Sequence, residues 1–419
     1  MLKIPTIYKD SAHDYITMPA ILRFMKHHCI RYNPTASREE HFESIVNYGN
    51  ASSQNAKYVL SWIDDVVLEG IRDVYVRYFP LVQKIKAILS APASIDSYFA
   101  AFIQEGIKPH VCSNQYGKDF TLVSVRLAGE GVGRKIVFTY CKKLHVFQEK
   151  KGVHRRTQII DYPVVAEYYF EGQWLSVTAK PRSNLYVYIN DNFDLENAEI
   201  TSTEKQIIEV FEKVATILTK DNVSETTEEE KLKNKLFYLI DKYTKTPKEI
   251  KNILESETER LEIIKRAFVE MCKVEDKCHI SSLGALESDI KNMAEKYLSI
   301  NWRDETIFMQ DREAYPIRLK ATDDEYSKMD QSSRLQKPLQ TKSIFFDNKK
   351  MLYDTKTCDG AMFMWSAKPK SYFPNEFPVA ISVTTMGLFL KFTKYTMKED
   401  IENVVFSVVG ANENTNKSG

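Results

Sequence analysis

The spacing of apolar residues divides the chain into alternating helical and extended regions. Residues 14–107 repeat apolar side chains at intervals of three and four, which is typical of amphipathic helices. One helix is predicted to begin at the capping box Ser37-x-x-Glu40, and a longer one to run from Tyr58 to Tyr78. Because the apolar positions of the longer segment fall on one stripe, we expect that stripe to be buried.

Short runs rich in β-branched and aromatic residues replace this spacing between residues 111 and 190. Gly, Asp and Asn separate the runs, and Glu171-Gly172 stands between two of them, where a hairpin turn is expected. The pattern predicts an antiparallel sheet with the strands Phe120–Leu127, Lys135–Phe147, Gln158–Phe170, Trp174–Lys180 and Leu185–Ile189.

Helical spacing returns over residues 202–299. Helix starts are predicted at Thr201-x-x-Glu204, Thr226-x-x-Glu229 and Thr246-Pro247-x-Glu249. The third helix carries a heptad-like seam, interrupted at Glu257 and formed by Leu254, Leu261, Ile264, Phe268 and Met271. Two alternatives stay open for this seam. It packs within the chain against the helix carrying Leu286, Ile290, Met293 and Leu298, or residues 250–298 bind a protein partner or a second copy.

A second β-rich region is predicted over residues 306–409. Its strands are expected at Lys342–Phe346, Met351–Tyr353, Ala361–Trp365, Val379–Thr384, Leu388–Phe392 and Val404–Val409, with a hairpin turn at Asp359-Gly360. Because strands and helices are segregated along the chain, the α+β class is favoured over a doubly wound parallel sheet. We expect a helical domain 1–110, an antiparallel β domain 111–200, a helical region 201–300, a second antiparallel β domain 301–411 and a disordered polar tail 412–419.

One five-residue pattern occurs in both β regions. Ala179-Lys180-Pro181-Arg182-Ser183 and Ala367-Lys368-Pro369-Lys370-Ser371 each follow a predicted strand. Proline cannot donate to a sheet ladder, so each segment is expected at a strand end. There Lys180, Arg182, Lys368 and Lys370 are predicted to bind nucleic acid through their basic side chains. A duplicated β domain would explain the match, and coincidence is the alternative.

Composition limits the classes of protein to consider. A chain of 419 residues is expected to form more than one core, and no apolar run of 18 residues predicts a membrane span. The six cysteines are sparse and irregular, and the first residues do not resemble a signal peptide, so an intracellular protein, cytoplasmic or nuclear, is expected. Lys+Arg (58) and Asp+Glu (57) nearly cancel, so only local charge can indicate a polyanionic partner.

The strongest local charge lies in residues 134–156, which contain eight Lys or Arg residues and one acidic residue, Glu149. Clustered cations on a hairpin can follow a phosphate backbone because each contact releases a condensed counterion. Nearby tyrosines such as Tyr186 and Tyr188 would stack on bases if they were exposed. The nucleic-acid-binding residues predicted here are Lys142, Lys143, Lys150, Lys151, Arg155 and Arg156. A solvated basic hairpin without a ligand is the alternative.

Residues 18–50 combine an apolar helix (Ile21, Leu22, Met25), the extended Asn33-Pro34-Thr35-Ala36 and the helix capped by Ser37. This segment resembles the SAP module, a helix–extended–helix unit that binds DNA in many chromatin and repair proteins. The resemblance covers only these residues. It implies DNA contact by Arg38, which falls where that family has a basic residue in its second helix.

Enzyme and cofactor motifs are not apparent in the sequence. It contains no phosphate-binding GxxxxGK loop, no GxSxG and no HExxH, and its His and Cys spacing does not suit zinc, so no cofactor or metal is expected. A metal-dependent nuclease needs carboxylates to hold the metal ion and a lysine near the attacking water. The candidates are Asp119 with Glu149-x-Lys151, or Asp161 with Glu171.

The sequence therefore favours a non-enzymatic nucleic-acid-binding protein in a larger assembly, with DNA favoured over RNA. A protein-interaction scaffold and a nuclease subunit are the alternatives.

Overall fold

A computed structural model describes residues 2–4, 6–9, 15–33, 35–81, 85, 117–130, 133–148, 156–189, 198–219, 228–273, 282–322, 328–368 and 375–411. The helices α1 to α11 are Thr6–Lys9, Met18–His27, Arg38–Asn50, Ser53–Val66, Thr203–Thr219, Glu229–Tyr243, Lys248–Ser256, Thr258–Lys273, Leu283–Ile300, Ser343–Thr355 and Lys398–Gly410. The strands β1 to β12 are Gly70–Tyr78, Thr121–Ala128, Lys135–Gln148, Arg156–Tyr169, Trp174–Ala179, Leu185–Tyr188, Ala198–Thr201, Ala314–Thr322, Lys328–Ser332, Gly360–Ser366, Glu376–Val383 and Leu388–Thr396. The mixed α+β class is therefore confirmed.

The chain forms two compact units. The first contains residues 1–227, 370–373 and 386–403, and the second contains residues 228–369, 374–385 and 404–419. Neither unit is one continuous segment, because residues 386–403 return to the first unit after much of the second has been formed. None of the described helices is long and apolar enough to cross a membrane.

The first unit is built on an antiparallel sheet with the strand order β7-β6-β3-β4-β5-β1-β12 and with β2 also paired to β3. Alternating residues of β3 pack into two different hydrophobic cores, because successive side chains of a strand point to opposite faces of the sheet. Ile136 and Phe138 pack with α5, whereas Val137 and Cys141 pack with the N-terminal helices. The sheet is therefore covered by helices on both faces.

The second unit contains the strand order β11-β10-β8-β9, and all of these neighbours are antiparallel. Helix α6 packs on this sheet through Tyr243, whose ring lies 6.0 Å from that of Phe363 and 5.5 Å from that of Trp365 between centroids. Trp365 and Phe363 are fully buried, so the end of α6 is held on a rigid aromatic core.

The prediction that one long helix reaches Tyr78 is wrong, because the helix ends at Val66. Residues 70–78 form β1, which pairs with β5 on one side and β12 on the other. The segment is rich in β-branched and aromatic residues, and its apolar positions also fit a helical stripe. Partners about 100 and 320 residues away in sequence decide in favour of the strand, because only they complete its backbone hydrogen bonds.

Three strands predicted in the C-terminal region are helices instead. Lys342–Phe346 and Met351–Tyr353 fall mostly in α10, and Val404–Val409 falls in α11. In α11 the buried residues Val404, Val405 and Val408 lie on one face of the helix. The predicted hairpin at Asp359-Gly360 is likewise wrong, since it joins α10 to β10. The strands β8 and β9 were not predicted.

The central helices differ in detail from the prediction. Ser202 rather than Thr201 caps α5, accepting the N–H of Lys205 at 3.2 Å. The predicted third helix is divided at Glu257 into α7 and α8. At the N-terminus, the capping box of Ser37 and Glu40 is confirmed. The SAP resemblance stays a prediction, and the predicted tail from Asn412 lies outside the described residues.

The predicted duplication of the β domain is wrong. In the first unit β5 pairs with β4, the strand directly before it in the chain, and with β1. In the second unit β10 pairs with β8 and β11, and α10 separates it in sequence from β9. Because the strand orders differ, the shared Ala-Lys-Pro pattern is coincidental.

Candidate phosphate-binding cleft

Both strands of the predicted basic hairpin are present in the structure, up to the residues next to its tip. β3 and β4 pair continuously from Lys135 opposite Tyr169 to Gln148 opposite Arg156. The tip residues Lys150, Lys151 and Arg155, and the side chain of Arg156, lie outside the described part of the chain. Their role in nucleic-acid binding stays a prediction.

Lys142 belongs to the interior of the first unit and not to an exposed basic surface. Its side chain is buried toward α5, where its Nζ lies 2.7 Å from Glu209 Oε2 and 4.3 Å from the centre of the Phe120 ring. Burial lowers the pKa of Lys142, and the Glu209 carboxylate opposes this shift. Lys143, the next residue along the strand, is half-buried.

The remaining predicted cations are spread over both units. Lys180 and Arg182 follow β5, as expected of a strand end. The Nζ atom of Lys180 and the Cζ atom of Arg182 each lie 5.8 Å from the centre of the Tyr15 ring. Arg38 is half-buried and donates to the backbone carbonyls of Tyr8, Lys9 and Ile16, which fastens α3 to the N-terminal segment. Lys368 is exposed after β10, and Lys370 is outside the described residues.

The second proposed pair of nuclease carboxylates is excluded by its geometry. Asp161 lies within β4, and Glu171 lies in the turn beyond the end of that strand. At about 3.4 Å per residue, the two are roughly 30 Å apart and cannot share a metal ion. Among the described residues, no three His, Cys, Asp or Glu side chains are arranged to hold a metal ion.

A lysine row that the sequence analysis missed lies in the second unit. Lys242, Lys245, Lys248 and Lys251 occur at every third position across the end of α6, the connection Thr244–Pro247 and the start of α7. All four line an open cleft of about 730 Å³, and the last three are exposed. The three-residue repeat is the signal that could have indicated this row. It was overlooked because Thr246-Pro247 was interpreted only as a helix start.

Four hydrogen bonds hold the backbone of this connection in place. The guanidinium of Arg312 donates to the carbonyl oxygens of Tyr243 and Lys245. The Gln340 amide donates to that of Thr244 at 2.9 Å and to that of Lys245 at 3.4 Å. Arg312 also donates to Gln340 Oε1 at 2.8 Å, so the two clamping side chains position each other. Arg312 and Gln340 bind the carbonyl oxygens of this connection from one side. The lysine side chains lie on the other side, where they line the cleft.

A second anchor comes from Glu295, which is buried on α9. Its carboxylate accepts a hydrogen bond from the Thr246 hydroxyl at 2.7 Å and pairs with Lys349 Nζ at 2.7 Å. A further cavity of about 440 Å³ is also lined by Lys349 and Tyr353, and extends along α9 and α10. The two cavities lie on either side of these shared residues.

The cleft is suited to anions. Its lining contains six cations, Lys242, Lys245, Lys248, Lys251, Arg312 and Lys349, against the three acids Asp241, Glu249 and Asp311. Two of the cations also pair with acids outside the lining, Lys349 with Glu295 and Lys242 with Glu313. Burial lowers the pKa of Arg312 to about 10, which leaves the side chain charged at neutral pH. The first amides of α7 also lack acceptors within the helix, and they add partial positive charge at this end.

Comparison with known proteins yields no relative: no family model matches the chain, and neither a curated protein nor a solved structure is similar to it. The functional argument therefore depends on the chemistry of the site itself.

Proposed function

We propose that this protein is a non-enzymatic nucleic-acid-binding protein and that the cleft of the second unit binds the phosphate backbone of a single strand. The observation that carries the proposal is the lysine row beside the N-terminus of α7, clamped from behind by Arg312 and Gln340. Lysine side chains and helix N-termini are both common partners of backbone phosphates. A cleft of about 730 Å³ is of the size that accommodates a few nucleotides rather than a duplex.

The spacing of the lysines supports a strand rather than a single phosphate group. Lys245, Lys248 and Lys251 are exposed at successive three-residue intervals, so their ammonium groups are spread along the rim of the cleft. Each contact with a phosphate displaces a counterion, and binding is expected to weaken with salt in proportion to the number of contacts.

The first experiment tests this row by charge reversal. Changing Lys245, Lys248 and Lys251 together to Glu should weaken binding of a labelled single-stranded oligonucleotide roughly 100-fold, as measured by fluorescence anisotropy. The four lysines of the cleft should contribute about −3 to the slope of log affinity against log salt in the wild-type protein, at −0.7 per contact with a single strand. DNA and RNA oligonucleotides tested in parallel determine which of the two is preferred.

The matched control reverses three exposed lysines outside the cleft, Lys205, Lys328 and Lys394. It changes the net charge by the same amount, and its affinity should stay within about threefold of wild type, since long-range charge is screened at physiological salt. Equal losses in both variants would mean that net charge alone attracts the oligonucleotide. Salt-independent binding would contradict contact with the phosphate backbone.

The hairpin tip is tested separately as a second contact. Changing Lys150, Lys151 and Arg155 to Glu should lower affinity and reduce the salt slope by about two, at −0.7 per contact for single strands. This variant keeps Lys142, because a glutamate at that position would place a second carboxylate beside Glu209 in the interior. If affinity and slope are unchanged, the tip does not contribute to binding.

A further inference from the structure

The cavity of about 440 Å³ along α9 and α10 lies beside the cleft that carries the lysine row, on the other side of Lys349 and Tyr353. We call it the second cavity. The side chain of Leu254 from α7 also lines it. Its volume is within the range of small-molecule sites and is ample for one nucleobase. A ligand bound in the cleft therefore has an adjoining cavity within reach.

The second cavity differs from the cleft in its charge. Its lining contains the three cations Lys291, Lys349 and Lys350 and the three acids Asp289, Glu295 and Asp354. Each cation is paired with a carboxylate: Lys291 with Glu287 at 2.7 Å, Lys349 with Glu295 at 2.7 Å and Lys350 with Asp289 at 3.6 Å. Because the lining has no excess of positive charge, it is suited to a neutral ligand rather than to a phosphate group.

An aromatic ring held in a fixed position contributes to both cavities. The Tyr353 hydroxyl donates to Asp241 Oδ1, and the Tyr353 ring meets that of the buried Phe237 nearly perpendicularly, at 5.3 Å between centroids. The ring is half-buried and lines the cleft as well as the second cavity. Bases of single strands commonly stack on tyrosine. A ring that is already ordered loses little conformational entropy when a base stacks on it.

One polar side chain in the lining of the second cavity has an unsatisfied acceptor. Asn292 Oδ1 is buried, and no donor among the described residues reaches it. The Nδ2 atom of Asn292 donates to the carbonyl oxygen of Phe346 at 3.4 Å, which is long for a hydrogen bond. Rotation of the amide is opposed only by this weak bond, so an N–H group in the cavity can draw Oδ1 toward it. A ligand with such a group gains a hydrogen bond that the chain itself does not supply.

The other polar groups of the lining also accept hydrogen bonds. Ser288 and Asp354 are exposed, whereas the lysine ammonium groups already pair with carboxylates. A hydroxyl donates or accepts, and a carboxylate only accepts. Adenine and cytosine carry an exocyclic amino group, and thymine and uracil carry an oxygen at the corresponding position. A lining rich in acceptors therefore favours a base with an amino group.

We propose that the second cavity receives one base of the bound strand and prefers a base with an exocyclic amino group, adenine or cytosine, over thymine or uracil. The inference rests on the proposed function, because the strand must follow the lysine row to bring a base to this cavity. The cleft then supplies sequence-independent affinity through phosphates, and the second cavity supplies base preference.

Strands of deoxycytidine and deoxyuridine test this preference, because at equal length they carry the same phosphates and differ at the base edge. The wild-type protein should bind the deoxycytidine strand about tenfold more tightly in fluorescence anisotropy, since uracil lacks the amino group. The slope of log affinity against log salt should be the same for both strands, because the phosphate contacts are unchanged. A strand of abasic sites lacks the stacked base and should bind about tenfold more weakly than the deoxycytidine strand.

Asn292→Leu removes the unsatisfied acceptor and preserves most of the side-chain volume. This variant should lose the preference for deoxycytidine, while its binding stays salt-dependent. Asn252→Leu is the matched control, because Asn252 is exposed on α7 and lines neither cavity. It should keep the wild-type preference. Circular dichroism on both variants checks that they are folded.

The outcomes separate this inference from the proposed function. Salt-dependent binding with equal affinity for the deoxycytidine and deoxyuridine strands would overturn base binding in the second cavity and leave the phosphate contacts in place. A preference that persists in Asn292→Leu would do the same. A protein that binds none of the strands would overturn both proposals. The comparison of strands needs only the wild-type protein, so it decides the question even when Asn292→Leu does not fold.

Discussion

Replacing Lys135 with methionine is expected to destabilise the first unit by about 3–5 kcal/mol, the usual cost of removing one partner from a buried ion pair. Lys135 lies in the interior, with its Nζ 2.8 Å from Glu167 Oε1, 2.5 Å from Glu402 Oε1 and 3.0 Å from the hydroxyl oxygen of Tyr169. The side chains of Lys135 and Glu167 are each 6% exposed. Methionine preserves much of the volume but leaves the Glu167 carboxylate buried without its cation.

The measurement is chemical denaturation monitored by the fluorescence of Trp174, whose ring stacks on that of Tyr169 at 3.8 Å between centroids. The double variant Lys135→Met with Glu167→Leu should recover part of the lost stability, because it also removes the orphan charge. If the single variant is within about 1 kcal/mol of wild type, water must reach Glu167 and the site is not as buried as its geometry indicates.

Replacing Arg312 with leucine is expected to affect both the stability of the second unit and ligand binding. The change removes the donor to the Tyr243 carbonyl oxygen, at a cost of about 1–3 kcal/mol if that group stays buried, and leaves the Lys245 carbonyl oxygen with only the longer hydrogen bond from Gln340 at 3.4 Å. Because those carbonyls hold the connection that carries the lysine row, oligonucleotide affinity should fall roughly tenfold, more than one lost charge in the lining would cause.

Arg312→Lys is the matched control for this prediction. It keeps the positive charge but not the planar fork that reaches three acceptors, so stability and affinity should lie between those of wild type and Arg312→Leu. Denaturation and fluorescence anisotropy on the same preparations provide both readouts. If Arg312→Lys binds as wild type while being destabilised, the guanidinium supports the fold without positioning the lysines.

The candidate site was only partly predictable from the sequence. The basic run of residues 134–156 was correctly assigned to a hairpin, because alternating apolar residues on both arms predict paired strands. The same alternation places Lys142 on the face that meets α5, where Glu209 of a helix more than 60 residues away neutralises it. Charge counted along a sequence does not distinguish an exposed lysine from one paired in the interior.

The lysine row is the opposite case, because the structure brings to one cleft charges that the sequence pattern did not connect. Its four residues span a helix end, a proline and a helix start, so neither helical nor strand periodicity connects them. They line one cleft because Arg312 and Gln340 bind the intervening carbonyls. Both clamping residues lie some 70 to 95 residues further along the chain, and their contacts exist only after the second unit has folded.

Local pattern by itself determined the elements whose signals are short-range: the capping box at Ser37, the turn at Glu171-Gly172, the strands on either side of the basic hairpin and the α+β class. Tertiary structure decided the segments whose apolar residues suit more than one conformation. β1 is a strand because β5 and β12 complete its hydrogen bonds, and α11 is a helix whose valines fall on one buried face. In such segments helix and strand differ little in intrinsic propensity, so long-range pairing and burial determine which of them forms.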